Sequence, residues 1–157
     1  MKSVQNTHNI SSFDTFHNAL LNIVGALNRP QRDDMMIKQA GIQLDRALFP
    51  LLIGIDRFGP IGVVELADRV GRDYTTVSRQ VAKLVALGLI LRQKSSKDKR
   101  VNEAVISEAG KVITLQVDAV RERVYQTLFS GWSNEDRDAL MRLIPRFAED
   151  FTRTEPS

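Results

Sequence analysis

The stretch "VVELADRVGRDYTTVSRQVAKLVALG", Val63 to Gly88, holds two helical patterns separated by one short break. In the first, Leu66, Ala67 and Val70 share a face; in the second, Val77, Val81 and Leu84 fall at i, i+4 and i+7. Such spacing lays an apolar ridge along one side of a helix. Gly71 supplies the tight turn, Asp73 is a residue type that accepts from the free amides of a first helical turn, and Gly88 stops the second helix. Two short helices joined so closely must cross, and the arrangement is a helix-turn-helix pattern. With its ridge buried, the second helix presents Tyr74, Thr75, Thr76, Ser78, Arg79, Gln80 and Lys83 outward or at its N-terminal end.

After Gly88 the period changes. Ile90, Arg92 and Lys94 alternate with Leu91 and Gln93, and Val101, Glu103 and Val105 with Asn102, Ala104 and Ile106. Two alternating runs joined by "SSKDKR" read as a β-hairpin with a charged tip. Its loop exceeds a two-residue turn and is expected to project and be mobile. A helix-turn-helix followed by a hairpin is a winged helix.

Helical patterns flank this centre. "SSFDTFHNALLNIVGALN" begins with Ser11 as N-cap and Asp14 three residues on, and Phe13, Phe16, Leu20, Ile23 and Leu27 form a narrow seam suited to another helix. "DMMIKQAG" predicts a short helix ending at Gly41. "LDRALFPLLIGIDRFG" predicts a longer one capped by Asp45, with Leu48, Leu51, Leu52 and Ile55 inward and Pro50 causing a kink or an offset start. Ile61, after the "FGPIG" turn, suits one or two residues of strand. Ser107 caps a helix carrying Ile113, Val117, Val120, Val124 and Leu128, and Ser133, with Asp136, caps a last one in which Pro145 predicts a kink.

Charge is concentrated. From Arg72 to Arg100 eight cations face only Asp73 and Asp98, a local +6 in a chain whose net charge is +3, so the remainder is acidic. That distribution suits a polyanion binder, although a solvated basic surface would explain charge alone. Cysteine is absent, which excludes disulfides, Cys-ligated zinc, iron–sulfur clusters and thiol redox sensing. The two histidines, His8 and His17, are expected at the surface, with no metal or catalytic role. No nucleophile constellation or glycine-rich phosphate loop is present, so neither an enzyme nor a cofactor is expected. No apolar run approaches the roughly 20 residues of a membrane span, and the N-terminus lacks a signal-peptide stretch; a cytoplasmic protein without membrane association is the expectation.

The chemistry of the outward face fits double-stranded DNA. The major groove, about 12 Å wide, admits one α-helix. Short hydroxyls at Thr75, Thr76 and Ser78 permit close approach, Arg79 suits guanine and Gln80 suits adenine, with Lys83 on the same outward side, a residue that alone would read as solvated. Lys97, Lys99 and Arg100 at the hairpin tip suit phosphates or a narrow minor groove. Asp98, two residues before Arg100, can pair with it and direct the guanidinium.

These segments resemble the MarR family of transcription factors. The likeness runs from Leu44 to Lys111 and is most specific in "ELADRVGRDYTTVSRQVAKLVALGLI" and in "KDKR" leading to "AVISEAGK". Tyr74 and the "ISEAG" segment depart from the usual pattern. The resemblance implies a mainly α fold with a small β-hairpin (α+β), a winged helix-turn-helix flanked by N- and C-terminal dimerisation helices. Residues 1–33 would form the N-terminal dimerisation helix, 34–106 the winged helix-turn-helix and 107–157 the C-terminal dimerisation helices of a homodimer. It implies that Thr75, Thr76, Ser78 and Arg79 lie on the recognition helix and that Asp98 and Arg100 are the wing's aspartate–arginine pair. It further implies a ligand-responsive repressor on a pseudo-palindromic operator. The effector would be a small aromatic or phenolic anion bound between the dimerisation helices and the winged helix. Phe13, Phe16, Phe49 and Ile55 are candidate pocket residues, with core packing as the other explanation for each. The alternative function is a winged-helix protein-interaction or dimerisation module that reads no DNA.

Overall fold

In the computed structural model the backbone of residues 2–154 and the side chains of residues 12–154 are described. Helix α1 spans Lys2–Leu27, α2 Pro30–Ala40, α3 Phe49–Phe58, α4 Val63–Val70, α5 Tyr74–Ala86, α6 Glu108–Leu128 and α7 Asn134–Arg153; strand β1 is Ile61–Gly62, β2 Ile90–Lys94 and β3 Asn102–Ile106. The fold is thus mainly helical with a small antiparallel sheet in the order β1-β3-β2. The chain divides into a unit of residues 1–119 and one of residues 120–157.

The larger unit is held by one core. Leu51, Leu52 and Ile55 from α3, Leu66 from α4, Val77, Val81 and Leu84 from α5, and Ile61, Ile90 and Ala104 from the strands form a buried cluster. Burying each large aliphatic side chain stabilises by about 1.5–3 kcal/mol, whereas an exposed ion pair such as Arg46–Asp34 contributes about 0–1 kcal/mol. The apolar ridges decide the fold, then, and the ion pairs trim it. Val70 is only half-buried, at the edge of the cluster.

Strand β3 pairs with both others. Ile90 lies opposite Ile106 and Lys94 opposite Asn102 in the hairpin, while Ile61 lies opposite Ala104. Only Ile90 of β2 is buried, because the hairpin quickly leaves the core; the expected alternation is realised at its base and lost toward its tip. Ser107 closes the junction with α6. Its hydroxyl accepts from the Gly110 N–H at 3.0 Å and donates to the Gly88 carbonyl at 2.6 Å. Two ion pairs join α3 to α6: Lys111 with Asp56 at 2.9 Å and Arg57 with Asp118 at 2.7 Å.

Several boundaries differ from expectation. Helix α1 runs unbroken from Lys2, so Ser11 lies within it and is no N-cap; helical hydrogen bonding continues across the local capping signal. Helix α2 starts at Pro30, where a missing N–H costs nothing because a first turn has no partner for it. Gly41, at φ 65°, ends it as expected. Pro50 occupies the first turn of α3, which gives the offset start. Asp45 caps the preceding turn instead of α3, its carboxylate accepting from the Ala47 N–H at 2.9 Å. Helix α7 continues through Pro145.

Apolar side chains stay exposed outside the core. In α1 no described side chain is buried, and Phe13, Leu21, Ile23 and Leu27 are all more than half exposed. In the second unit, Ser133 caps α7 by accepting from the Asp136 N–H at 3.0 Å, and Phe129 meets Trp132 edge-on at 5.2 Å. Helix α7 buries none of its side chains; Met141, Ile144 and Phe151 are about half exposed.

Candidate nucleic-acid interface

The interface is assembled around the turn between α4 and α5. Gly71 ends α4 at φ 67°, a left-handed conformation that glycine adopts without the clash a Cβ brings. Two residues later Asp73 caps α5. Its carboxylate accepts from the Thr76 backbone N–H at 2.9 Å and from the Thr76 hydroxyl at 2.7 Å. Those bonds, the hydroxyl's first, hold the Asp73 carboxyl below the usual aspartate range. Thr76 is therefore occupied in the cap and half-buried.

Burial of Val77, Val81 and Leu84 settles which way α5 faces. At 3.6 residues per turn, Thr75, Arg79 and Lys83 lie on the far side, and all three are exposed. Tyr74 and Ser78 lie on one flank and Gln80 on the other. Gln80 is half-buried, its amide oxygen accepting from Nη1 of Arg72 at 2.9 Å.

The wing loop has internal order. The Ser95 N–H donates to the Val101 carbonyl at 2.9 Å and the Val101 N–H to the Asp98 carbonyl at 3.0 Å. The Ser95 hydroxyl oxygen accepts from the Lys97 N–H at 3.2 Å. Asp98 accepts from Nε and Nη2 of Arg100 at 3.1 and 3.2 Å, so the expected pair is formed. Lys97, Lys99 and Arg100 are exposed, and the Asp98 carboxyl is held below its ordinary range by the Arg100 side chain and then by its backbone N–H.

Helix and wing form two walls of one groove of about 940 Å³. Of the residues singled out in the sequence, Ser78, Lys97 and Arg100 line it; Thr75, Thr76, Arg79, Gln80, Lys83, Asp98 and Lys99 lie outside its lining. Tyr74 and Arg92 also line it, and neither was assigned a contact from sequence. Their signal lay in register: Arg92 stands opposite Ala104 in the hairpin, and Tyr74 is the first residue of α5. The α4 wall contributes Glu65 and Asp68 and β3 contributes Glu103, while the groove's cations, Arg92, Lys97 and Arg100, all stand on the wing side.

The four residues considered for an effector pocket differ in burial. Phe49 and Ile55 are buried, Ile55 within the core of the larger unit, while Phe13 is 73% exposed and Phe16 49% exposed on α1. His17 is exposed, and His8 lies outside the residues whose side chains are described. Among the described residues no cluster of His, Asp and Glu could hold a metal ion, and no helix is long and apolar enough to cross a membrane.

A helix-turn-helix whose second helix shares a groove with a β-hairpin is a winged helix-turn-helix. Comparison with known proteins agrees. Residues 44–101 match the MarR family model. The protein YxaD of Bacillus subtilis (strain 168), described as an uncharacterized HTH-type transcriptional regulator, is 33% identical over 75% of this chain and 82% of its own. Among solved structures, a MarR family protein from Bacillus stearothermophilus superposes with a TM-score of 0.72 at 19% identity, over 90% of this chain and 96% of that one. RV1404 from Mycobacterium tuberculosis gives 0.65 at 25% identity, over 93% and 97%. The chain belongs to the MarR family of helix-turn-helix transcriptional regulators, which is not a family of enzymes.

Proposed function

We propose that this regulator is a homodimer that binds double-stranded DNA sequence-specifically in the cytoplasm. Helix α5 enters the major groove, and the wing reaches the adjacent minor groove of a pseudo-palindromic operator. The observation that carries this reading is the shared groove, with Tyr74 and Ser78 on one wall and Arg92, Lys97 and Arg100 on the other. Thr75, Thr76, Ser78, Arg79, Gln80 and Lys83 are the recognition-helix contacts in this reading, with Lys97, Asp98, Lys99 and Arg100 as the wing's. Exposed aliphatic and aromatic side chains on α1 and α7 support dimerisation, since apolar faces of that extent are usually covered by a partner. Residues 1–33 and 107–157 supply the dimer contacts, and residues 34–106 the DNA-binding portion. Two-fold symmetry then places half-sites about one helical turn apart.

Regulation in this reading is repression relieved by a small aromatic or phenolic anion. Such a ligand releases DNA only by binding better to a dimer whose recognition helices are wrongly spaced. Phe13 and Phe16 are exposed on α1, whereas Phe49 and Ile55 are buried.

Fluorescence anisotropy with a random duplex at low salt tests DNA binding. An increase that collapses with salt is expected, because each phosphate contact contributes a slope of about −0.9 in log K against log salt. An interaction module that reads no DNA would give no increase. Sedimentation at micromolar concentration tests dimerisation, and a monomer there would refute it.

A further inference from the structure

Arg72 stands between the glycine that ends α4 and the aspartate that begins α5, and by charge it belongs with the cations running to Arg100. Its guanidinium, however, is used inside the fold. The side chain is half-buried, and one nitrogen, Nη1, donates to the Ala47 carbonyl at 2.7 Å and to the Gln80 amide oxygen at 2.9 Å. Ala47 is 25 residues away, in the turn before α3; Gln80 lies mid-way along α5. The charge is also felt in α2, where Asp33 carries a carboxyl raised by burial and by Asp34 while Arg72, Arg32 and Arg46 oppose the rise. Arg72 thereby links the turn before α3 to the middle of α5.

The bond also dictates how Gln80 is turned. A guanidinium has donors and no acceptor, so the amide must present its oxygen to Arg72, which commits one of that oxygen's two lone pairs and fixes the plane of the amide. Reading adenine takes both ends of the amide, the oxygen accepting from N6 and the nitrogen donating to N7. Helical geometry adds to this: Gln80 sits three residues beyond buried Val77, on the flank away from Ser78 and the wing groove.

We infer that Arg72 is a positioning residue for operator reading, tying Gln80 to the Ala47 carbonyl so that α5 is held at its working angle, and that Gln80, counted above among the recognition-helix contacts, serves the interface through this tie and not by bidentate reading of adenine. The inference rests on the DNA-binding reading of α5. It separates Arg72 from the neighbouring cations, since a strut and a phosphate contact respond differently to salt.

The test uses the full chain, a duplex selected by the wild type from a random pool, and random duplex as the reference. Anisotropy titrations at several salt concentrations would compare Arg72→Met, Arg72→Lys, Gln80→Leu and the Arg72→Met/Gln80→Leu double variant, with circular dichroism establishing that each is folded. Arg72→Met and Gln80→Leu should each lower the selected-to-random affinity ratio by about tenfold. The double variant should lose no more than the poorer single one, the salt slope should stay at the wild-type value, and Arg72→Lys should recover part of the ratio. A slope shallower by about 0.9 with an unchanged ratio would make Arg72 a phosphate contact and overturn the inference. So would strictly additive losses in the double variant. Should Arg72→Met fail to fold, Arg72→Lys and Gln80→Leu decide the matter by the same two readouts. A wild type that binds neither duplex would instead remove the DNA-binding reading, and the inference with it.

Discussion

Asp98 accepts three hydrogen bonds from Arg100, from the backbone N–H at 3.0 Å, from Nε at 3.1 Å and from Nη2 at 3.2 Å. The arginine side chain is 90% exposed, so this pair adds little to stability, and its consequence is directional. A guanidinium gripped on one edge keeps its other edge turned outward. Arg100→Ala should therefore weaken binding to every duplex and make the salt slope shallower by about 0.9. Asp98→Ala leaves the cation but not its direction, so affinity should drop with the slope retained. Titrations against salt distinguish the two.

Arg79 and Lys83 share the outer face of α5, and each should fail in its own way. Arg79→Ala should lower affinity for a selected operator and flatten base preference at one position, a loss of about 1–3 kcal/mol. Lys83→Ala should lower affinity for all sequences alike. Selection from a random pool, repeated with each variant, checks this through the information content at each position.

The aspartates predict opposite responses to acid. Asp73, its carboxyl lowered by bonds from Thr76, binds a proton less readily folded than unfolded. Its contribution is present above the ordinary aspartate range and is lost as pH falls below about 4. Asp33, raised mainly by burial and then by Asp34, binds a proton more readily when folded, so its ionisation opposes folding as pH rises through its raised pKa. Thermal melts from pH 3 to 7 should show Asp73→Asn, which can still cap, with a shallower decline in acid. Asp33→Asn should raise Tm most at neutral pH and least at pH 3.

The junction of wing and α6 should tolerate little. A Cβ on Gly110 would meet the Leu89 carbonyl oxygen and approach Cδ1 of Ile106 to 2.7 Å. The backbone oxygen cannot rotate away, so Gly110→Ala should destabilise by about 1–3 kcal/mol or more. Gly54, inside α3, offers a contrast, since its nearest obstacle is Cδ1 of Leu66 at 3.2 Å. A leucine tip can shift by a few tenths of an ångström, and alanine is the better helix former by about 1 kcal/mol. Gly54→Ala should be close to neutral. Urea denaturation of both variants tests the ranking.

Most of this architecture is legible in short stretches of the sequence. The ridge of Val77, Val81 and Leu84 is buried as its spacing requires, and Ser107, Ser133 and Asp73 accept the amides of the helices that follow them. Ser11 misled because a capping signal acts only where a helix starts, and nothing at that point interrupts α1. Asp45 misled by a few residues, since Pro50 moved the helix start beyond its reach. Of the candidate site, the wing pair was readable because Asp98 and Arg100 lie two residues apart. Tyr74 was placed outward and Arg92 in the hairpin, but neither was given a contact, because lining a groove depends on which strand stands beside which helix.

By itself, then, the order of amino acids determined where helices and hairpin lie and which face of each turns inward. Those outcomes follow from contacts within a few residues and from the periods of helix and strand. Only the folded chain decided the fate of particular polar groups. Arg72 reads in sequence as one more cation of a basic run, yet it ends on a carbonyl 25 residues away and on Gln80, whose amide it turns. Burial and hydrogen bonding between distant segments are properties of packing, and no local pattern encodes which donor will find which acceptor.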